Sequence, residues 1–246
     1  MSGAPPVRRA AVALAAPTLA HQWVRQESAR HGAIVVADRE ISARGRGGIE
    51  WLEDHAIACS LILRPRDLPP SAADLAWLLG GLGAAAVVDR LAASEPPPGA
   101  ASVWWPDRLL LAPTSPRDPT AIGIHADSVL GPGRVSYSVV TVRFGWAAPL
   151  DTERRNRITG IAVAELAVLA GALDDRGDLV ERYRGRCATL GRRVTADRSP
   201  HGSVRGIAHD VTDDGALVLE SSTGLQEVMT VATIRTVDPV DDAPIP

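Results

Sequence analysis

The sequence predicts an α+β fold, in which a mixed β-sheet with helices is followed by a small C-terminal β-barrel. Two observations lead to this expectation. Before residue 187, buried-type strands alternate with long segments of helical periodicity. After Gly191, short β-like runs follow one another closely and are separated by Gly, Asp and Pro turns. We therefore expect a domain of residues 1–187, a barrel of residues 188–238 and a disordered tail of residues 239–246.

The first half of the larger domain is expected to contain three strands and two helices. In chain order they are strand Val7 to Leu14, helix Thr18 to Arg30, strand Ala33 to Ala37, strand Ala56 to Leu63 and helix Ala72 to Ala92. The second helix is apolar and contains Gly80, Gly81 and Gly83. These glycines indicate either close packing or a weak point in the helix.

The second half of this domain is expected to add a sheet and two further helices. The predicted strands are Ser102 to Leu111, Ala121 to Ala126 and Val135 to Phe144, and the helices are Asp151 to Leu173 and Leu179 to Cys187. Strong alternation identifies the strand that ends at Phe144. Either Asp151 or Thr152 is suited to cap the helix that follows.

Four short strands are expected in the barrel. They are Arg193 to Ala196, Ser203 to Val211, Ala216 to Glu220 and Glu227 to Ile234. The run Asp213-Asp214-Gly215 predicts a hairpin between the second and third of these strands.

Composition excludes several classes of function. The net charge of −3 gives no signal for a polyanion, so we expect no nucleic-acid partner. No stretch reads as a membrane span, and we expect no membrane association. Cys59 and Cys187 are far apart and suggest neither a disulfide framework nor a metal site, which fits a cytoplasmic protein.

The basic residues are all arginine. The chain has 26 of them and no lysine, a bias that a GC-rich genome would explain. Whatever its origin, the bias excludes every mechanism that needs an amine side chain. Arginine is a planar, permanently charged fork and is a poor replacement for a compact ammonium.

A Gly/Arg-rich segment, Ser42 to Gly48, follows the strand that ends at Ala37 and precedes Trp51. Glycines let a backbone approach a phosphate closely, and arginines pair with carboxylate or phosphate oxygens. Most such loops are only solvated turns. We call this segment the Gly/Arg loop.

Three segments resemble the biotin protein ligase family, specifically the group without an N-terminal DNA-binding domain. The first, Ala37 to Trp51, contains the Gly/Arg loop and is similar to the family's Gly-Arg-Gly-Arg-Arg-Gly-Arg motif and the Trp that follows it, with identities at Arg44, Gly45, Arg46, Gly48 and Trp51. The stretch from Tyr183 to Leu217 resembles the junction and C-terminal SH3-like domain of bacterial members, and it favours the biotin branch over the lipoate ligases. The third segment, from Val103 to Asp127, keeps Trp105, Pro106, Gly123 and Ile124.

The resemblance implies a biotin/lipoate ligase catalytic fold and a two-step reaction. Biotin and ATP, with Mg²⁺ accompanying the nucleotide, would give biotinyl-adenylate, and a lysine of a biotin carboxyl carrier protein would then accept the biotin. If ligand binding is retained, the residues implied are Thr18, Glu40, Arg44, Gly45, Arg46, Gly48, Trp51, Arg117 and Gly123. The resemblance also allows either a monomer or a homodimer.

The chain departs from this pattern at the residues that carry the chemistry. The two family lysines are replaced by Trp104 and Thr120, so no catalytic residue is retained there. Glu40 stands at the position of a Gln that lies near biotin, and Trp146 could fill the pocket. We also expect Asp107 and Arg108 to form a local ion pair, and His125 to be a partly buried histidine bonded to backbone.

Three functions remain open at this point. The first is a degenerate, catalytically impaired homologue that acts by binding a carrier protein, an active ligase paralogue or a small acyl ligand. The second is an active biotin–[acetyl-CoA-carboxylase] ligase in which Arg44, Arg46 and Arg117 supply the missing charge. The third is an interaction module that binds no biotin-like ligand.

Overall fold

The computed structural model describes residues 4–48, 50–51, 54–92, 101–110, 119–198, 201–230 and 232–236. The expected α+β architecture is confirmed. The larger unit contains β1 (Val7–Ala10), α1 (Ala16–Glu27), β2 (Ile34–Ala37), β3 (Ala56–Leu63), α2 (Leu75–Ala92), β4 (Ser102–Trp104), β5 (Arg108–Leu110), β6 (Ala121–Gly131), β7 (Arg134–Gly145), α3 (Thr152–Val168) and α4 (Arg176–Arg184). The expected tail and Arg117 lie outside the described residues.

The central sheet has five strands in the order β1-β2-β3-β7-β6. β1 and β2 are parallel, and the other neighbours are antiparallel. Every residue of β3 is buried, as expected for a central strand with both faces covered. α1 packs on one face through small residues such as Ala16 and Ala20, whereas α2 and α3 cover the other face and form the larger core.

The first strand is shorter than predicted. It pairs with β2 from Val7 to Ala10, and this pairing ends where Ala10 meets Ala37. Val12 and Leu14, which the prediction included, are more than half exposed. Apolar composition suggested a continuous strand, but the regular pairing stops at Ala10 and is followed by an isolated parallel bridge between Ala13 and Glu40.

The predicted strand from Ser102 to Leu111 is divided into two. β4 and β5 form a small antiparallel pair on either side of Trp105 and Pro106. Proline cannot donate to a strand ladder, so a break at this point is physically reasonable. Trp105 is almost fully buried, and its indole N–H donates to the carbonyl of Gly215 at 3.1 Å.

The glycines of α2 reflect close packing, one of the two interpretations of the sequence. A Cβ at Gly80 would lie 2.6 Å from Ile124 in β6, and one at Gly81 would lie 3.0 Å from Val103 in β4. A Cβ at Gly83 would lie 2.8 Å from Leu166 in α3. α2 is thus in contact with three elements at positions where a methyl group would not fit.

Helix α3 begins as the sequence predicts. Asp151 precedes it and accepts a hydrogen bond from the backbone N–H of Arg154 at 2.8 Å. The helix ends at Val168, and a separate 3₁₀ turn covers Ala172–Asp174. The single helix predicted up to Leu173 is therefore two elements.

The C-terminal sheet contains five antiparallel strands, β8 to β12, in the order β11-β10-β9-β8-β12. They are β8 (Arg193–Asp197), β9 (Ser203–Val211), β10 (Leu217–Ser221), β11 (Gly224–Val228) and β12 (Thr233–Thr236). The predicted hairpin joins β9 to β10, and Gly215 has a φ of +94° there. Arg184 of α4 ties the sheet to the larger unit through Asp210, with an Nε–Oδ1 distance of 2.7 Å.

Among the described residues, two helical stretches reach the length and apolarity of a membrane span, contrary to the sequence-based expectation. They are Pro70–Ala92 and Thr152–Asp174, with mean hydropathies of 1.6 and 1.4. In the first, 67% of the most apolar window is buried inside the protein. A helix that is apolar on all sides is also typical of a protein core, so this composition alone is weak evidence for a membrane.

Candidate functional site

A cavity of about 550 Å³ opens between the start of α1, the Gly/Arg loop and β6. We call it the main cavity. It is lined by five of the ligand-binding residues that the sequence predicts, which are Thr18, Arg44, Gly45, Arg46 and Gly48. Segments that are distant in the sequence are thus brought to one place. Its volume falls within the range of small-molecule binding sites.

The Gly/Arg loop is held by its own backbone. Arg46–Gly48 form a 3₁₀ turn, and Gly48 has a φ of +74°, which favours glycine. The guanidinium of Arg44 donates from Nη1 to the carbonyl of Gly48 at 3.0 Å. Within the described part of the chain, Arg44 reaches no carboxylate, so it is a cation available to a ligand.

Arg46 is already engaged. Its Nε donates to Asp107 at 2.9 Å, and its Nη1 donates to the carbonyls of Thr230 and Ala232 at 2.8 and 2.6 Å. The Asp107 and Arg46 side chains are only 11% and 18% exposed. The expected pairing of Asp107 with Arg108 is therefore wrong, because Asp107 is paired with Arg46 across 61 positions of the chain. Arg46 joins the Gly/Arg loop to the C-terminal sheet.

Glu40 forms a buried ion pair with Arg143 of β7. Arg143 donates from Nε and Nη2 to the two carboxylate oxygens, at 2.6 and 3.2 Å. The Glu40 side chain is 5% exposed and that of Arg143 is fully buried. Glu40 also accepts the backbone N–H of Ala16 at 2.7 Å, which fixes the start of α1. The carboxylate therefore has an internal partner at the position that the resemblance assigns to ligand contact.

Trp51 lies against Gly123 of β6. A Cβ at Gly123 would be 2.7 Å from the Trp51 Nε1, so only glycine leaves room for the indole. Trp51 and Glu40 both line a second cavity of about 320 Å³ beside β2 and β3. Two of the predicted ligand-binding residues thus line this second cavity rather than the main one.

The two positions of the family lysines lie outside both cavities. The Thr120 hydroxyl donates to the carbonyl of Gly145 at 3.3 Å, and Trp104 packs partly buried against the larger core. Trp146 is 3% exposed within the same core and does not line either cavity. Trp146 therefore packs in the core. The expectation that it could fill the pocket is wrong for these two cavities.

Sequence reasoning missed a polar cluster that forms one side of the main cavity. The Nε2 atoms of His125 and His21 lie 2.8 and 3.4 Å from Oδ2 of Asp127. The His21 Nδ1 lies 3.1 Å from the hydroxyl of Tyr137, and His125 stacks edge-on against Trp77. His125 thus bonds a side chain and not backbone, contrary to expectation.

A local signal for this cluster did exist. His125 and Asp127 are two positions apart on a strand, so they point to the same face of the sheet. His21, from α1, joins them only through tertiary packing. Among the described residues, no group of three or more His, Cys, Asp or Glu side chains could hold a metal ion.

The two imidazoles set the charge of this cluster. Hydrogen bonds from His125 and then His21 hold the pKa of Asp127 well below its usual range, against the opposing effect of burial. A carboxyl whose pKa is lowered by folding stabilises the protein above its unfolded pKa, and this stabilisation is lost as the pH falls through the folded value.

Asp127→Asn is therefore expected to destabilise the protein in a pH-dependent way. The side chain is 46% exposed, so we expect a loss of only about 1 kcal/mol at pH 7, or roughly 2–4 °C in Tm. The difference between variant and wild type should shrink below about pH 4, where the unfolded carboxyl binds a proton. Thermal unfolding from pH 7 to pH 2 measures it; a constant difference over this range would contradict the assignment.

Comparison with known proteins agrees with this architecture. Residues 189–234 match the family model described as the biotin protein ligase C-terminal domain. The biotin–[acetyl-CoA-carboxylase] ligase of Mycobacterium tuberculosis (strain ATCC 25618 / H37Rv) is 29% identical over 203 residues, which cover 77% of this chain and 73% of the relative.

Solved structures share the whole fold. The biotin protein ligase of Aquifex aeolicus, in complex with biotin and ATP, has a TM-score of 0.68 at 14% identity and covers 94% of this chain and 99% of its own. A biotin protein ligase-like protein of unknown function from Silicibacter has a TM-score of 0.63 at 15% identity, with 94% and 96% covered.

The fold and the C-terminal domain are those of the biotin protein ligase class. The resemblance seen in the sequence is thereby confirmed. Within that class, the chain is similar in sequence to the biotin–[acetyl-CoA-carboxylase] ligase of M. tuberculosis.

Proposed function

We propose that this protein is a catalytically impaired biotin protein ligase homologue that acts by binding. The observation that carries the proposal is the neutral Thr120 at the position of a family lysine, with its hydroxyl directed to the Gly145 carbonyl. The chain has no lysine that could replace it.

The family reaction shows why this deficit matters. Adenylate formation brings a carboxylate against the phosphates of ATP, and two anions at contact repel by roughly 4 kcal/mol at an effective dielectric of about 20. Preorganised cations remove this barrier and stabilise the charge that develops. Losing one such group typically costs about two to three orders of magnitude in rate.

The remaining arginines only partly compensate. Arg46 is held by Asp107 and by two carbonyls in the connection between β11 and β12, so freeing it would break three hydrogen bonds. Glu40, which stands where the resemblance expects a Gln near biotin, is paired with Arg143. Both features support binding without efficient turnover.

A cytoplasmic protein that takes part in the same biotinylation reaction fits the proposed binding role. The relatives are named as biotin ligases, one of them acting on acetyl-CoA carboxylase. A biotin carboxyl carrier protein or an active ligase paralogue is the partner that we propose. Biotin and ATP, with Mg²⁺ accompanying ATP, are the small molecules to test first.

Pyrophosphate release tests the impairment. With biotin, ATP and Mg²⁺, we expect a rate at least about two orders of magnitude below that of the M. tuberculosis relative assayed in parallel. Heat-denatured protein gives the background. Release at a rate equal to that of the relative would overturn the proposal.

A working ligase with a rearranged site is the second candidate. Arg44 favours it, because its guanidinium reaches no carboxylate in the described part of the chain. If turnover is found, Arg44→Ala and Arg117→Ala should each abolish it. If calorimetry detects neither turnover nor binding of biotin or an adenylate analogue, the interaction-module hypothesis is favoured.

A further inference from the structure

The side of the main cavity formed by β6 and α1 presents hydrogen-bond acceptors. Both imidazoles of the His21–Asp127–His125 cluster approach the same carboxylate oxygen, Oδ2. A carboxylate oxygen only accepts, so each Nε2 carries a proton and donates it. Among the contacts of the described residues, Asp127 Oδ1 has no donor, and the side chain is 46% exposed.

The tautomer of each histidine follows from these contacts. His21 donates through Nε2, and its Nδ1 accepts from the hydroxyl of Tyr137 at 3.1 Å. His125 also donates through Nε2, which leaves a lone pair on its Nδ1. That Nδ1 is enclosed and has no hydrogen-bond partner. The acceptor of the cluster that a ligand can reach is therefore Asp127 Oδ1, and with neutral imidazoles the cluster has a formal charge of about −1.

The Gly/Arg loop, which also lines the main cavity, presents donors. Arg44 lies in the Gly/Arg loop, with one N–H bonded to Gly48 and no carboxylate partner among the described residues. Its guanidinium has five N–H donors and no acceptor. Arg46, the other cation of this lining, is neutralised by Asp107.

Apolar groups lie in the same lining. Leu14, Pro17 and the ring of Trp77 line the main cavity together with the charged groups. Short aliphatic segments bury favourably against such side chains. Among the described residues, the lining thus combines an anionic cluster, a guanidinium with no carboxylate partner, and apolar surface.

From this arrangement we infer that the main cavity binds a small zwitterion of the ω-amino acid class. Its ammonium would meet the carboxylate of Asp127, its carboxylate would pair with Arg44, and its methylene chain would lie against Trp77 and Leu14. This inference rests on the proposed binding role and names the class of ligand for that site.

Isothermal titration calorimetry of the full chain at pH 7.5 tests the inference with matched probes. 6-Aminohexanoate carries both charges, whereas hexanoate lacks the ammonium and hexylamine lacks the carboxylate. We expect 6-aminohexanoate to bind at least about tenfold more tightly than either. Equal affinity for hexanoate, or no heat with 6-aminohexanoate, overturns the inference. This ranking uses wild-type protein and does not depend on any variant folding.

Two variants test which residue binds the ammonium of the ligand and which binds its carboxylate. Asp127→Asn should weaken 6-aminohexanoate at least about tenfold and leave hexanoate unchanged, whereas Arg44→Ala should weaken both. The matched control is Asp214→Asn, which removes a similarly exposed ion-paired carboxylate, 41% exposed, that does not line the main cavity. An equal loss in the Asp214 variant overturns the assignment.

Failure of this inference can be distinguished from failure of the proposed function. If 6-aminohexanoate does not bind and pyrophosphate is not released, the ligand class is wrong and the impairment stands. If biotin and ATP give pyrophosphate at the relative's rate, the impairment is wrong, whatever the calorimetry shows.

Discussion

Arg143→Met is expected to lower the free energy of unfolding by about 3–5 kcal/mol. The substitution removes the guanidinium and leaves the Glu40 carboxylate, 5% exposed, with the backbone N–H of Ala16 as its one remaining donor among the described residues. An uncompensated buried charge is among the most destabilising changes known in a protein interior. Urea unfolding followed by far-UV circular dichroism, with the m-value checked for constancy, gives the measurement.

The double variant Glu40→Gln with Arg143→Met separates lost charge pairing from lost packing. Because it removes both charges and keeps an acceptor for the Ala16 N–H, we expect it to recover most of the stability lost in the single variant. A single variant that costs less than about 1 kcal/mol would show that the pair is not buried as described.

Arg46→Ala is expected to cost on the order of 2 kcal/mol and to loosen the Gly/Arg loop. The change leaves the 11% exposed Asp107 side chain without its cation and breaks the links to Thr230 and Ala232. Hydrogen exchange should then become faster both in the Gly/Arg loop and near Thr230. Chemical denaturation measures the loss in stability.

The neighbouring arginine provides a matched control. Arg44→Ala removes the same kind of side chain from the same loop, but that side chain is exposed and forms one bond to Gly48. We expect a change within about 0.5 kcal/mol. If the two variants lose equal stability, or if exchange near Thr230 does not change in Arg46→Ala, the link to the C-terminal sheet is not significant.

Much of the fold could be predicted because its signals are local. Alternation from Val135 to Phe144 predicted most of β7, and Asp151 predicted the start of α3. The hairpin at Gly215 followed from the residues of the turn alone. The end of β1 could not be predicted in this way, because it depends on the length of its partner β2.

The site was predictable only in part, for the same physical reason. The Gly/Arg loop was identified from its composition, and the structure places it at a cavity. Its electrostatics depend on partners far away in sequence. Arg143 pairs with Glu40 across 103 positions, and Arg46 reaches Thr230 across 184. No local pattern specifies which charge will meet which.

Helix α2 carries three glycines in its interior. Each of its three glycines costs about 1 kcal/mol of intrinsic helix stability relative to alanine. The space that these glycines leave is filled by Ile124, Val103 and Leu166, all of which follow α2 in the chain. During synthesis, the segment from Leu75 to Ala92 therefore emerges as a weak helix with apolar surface, and its partners are translated later. The helix is therefore stabilised by its packing in the complete domain. On this basis, α2 is a poor site for folding to nucleate.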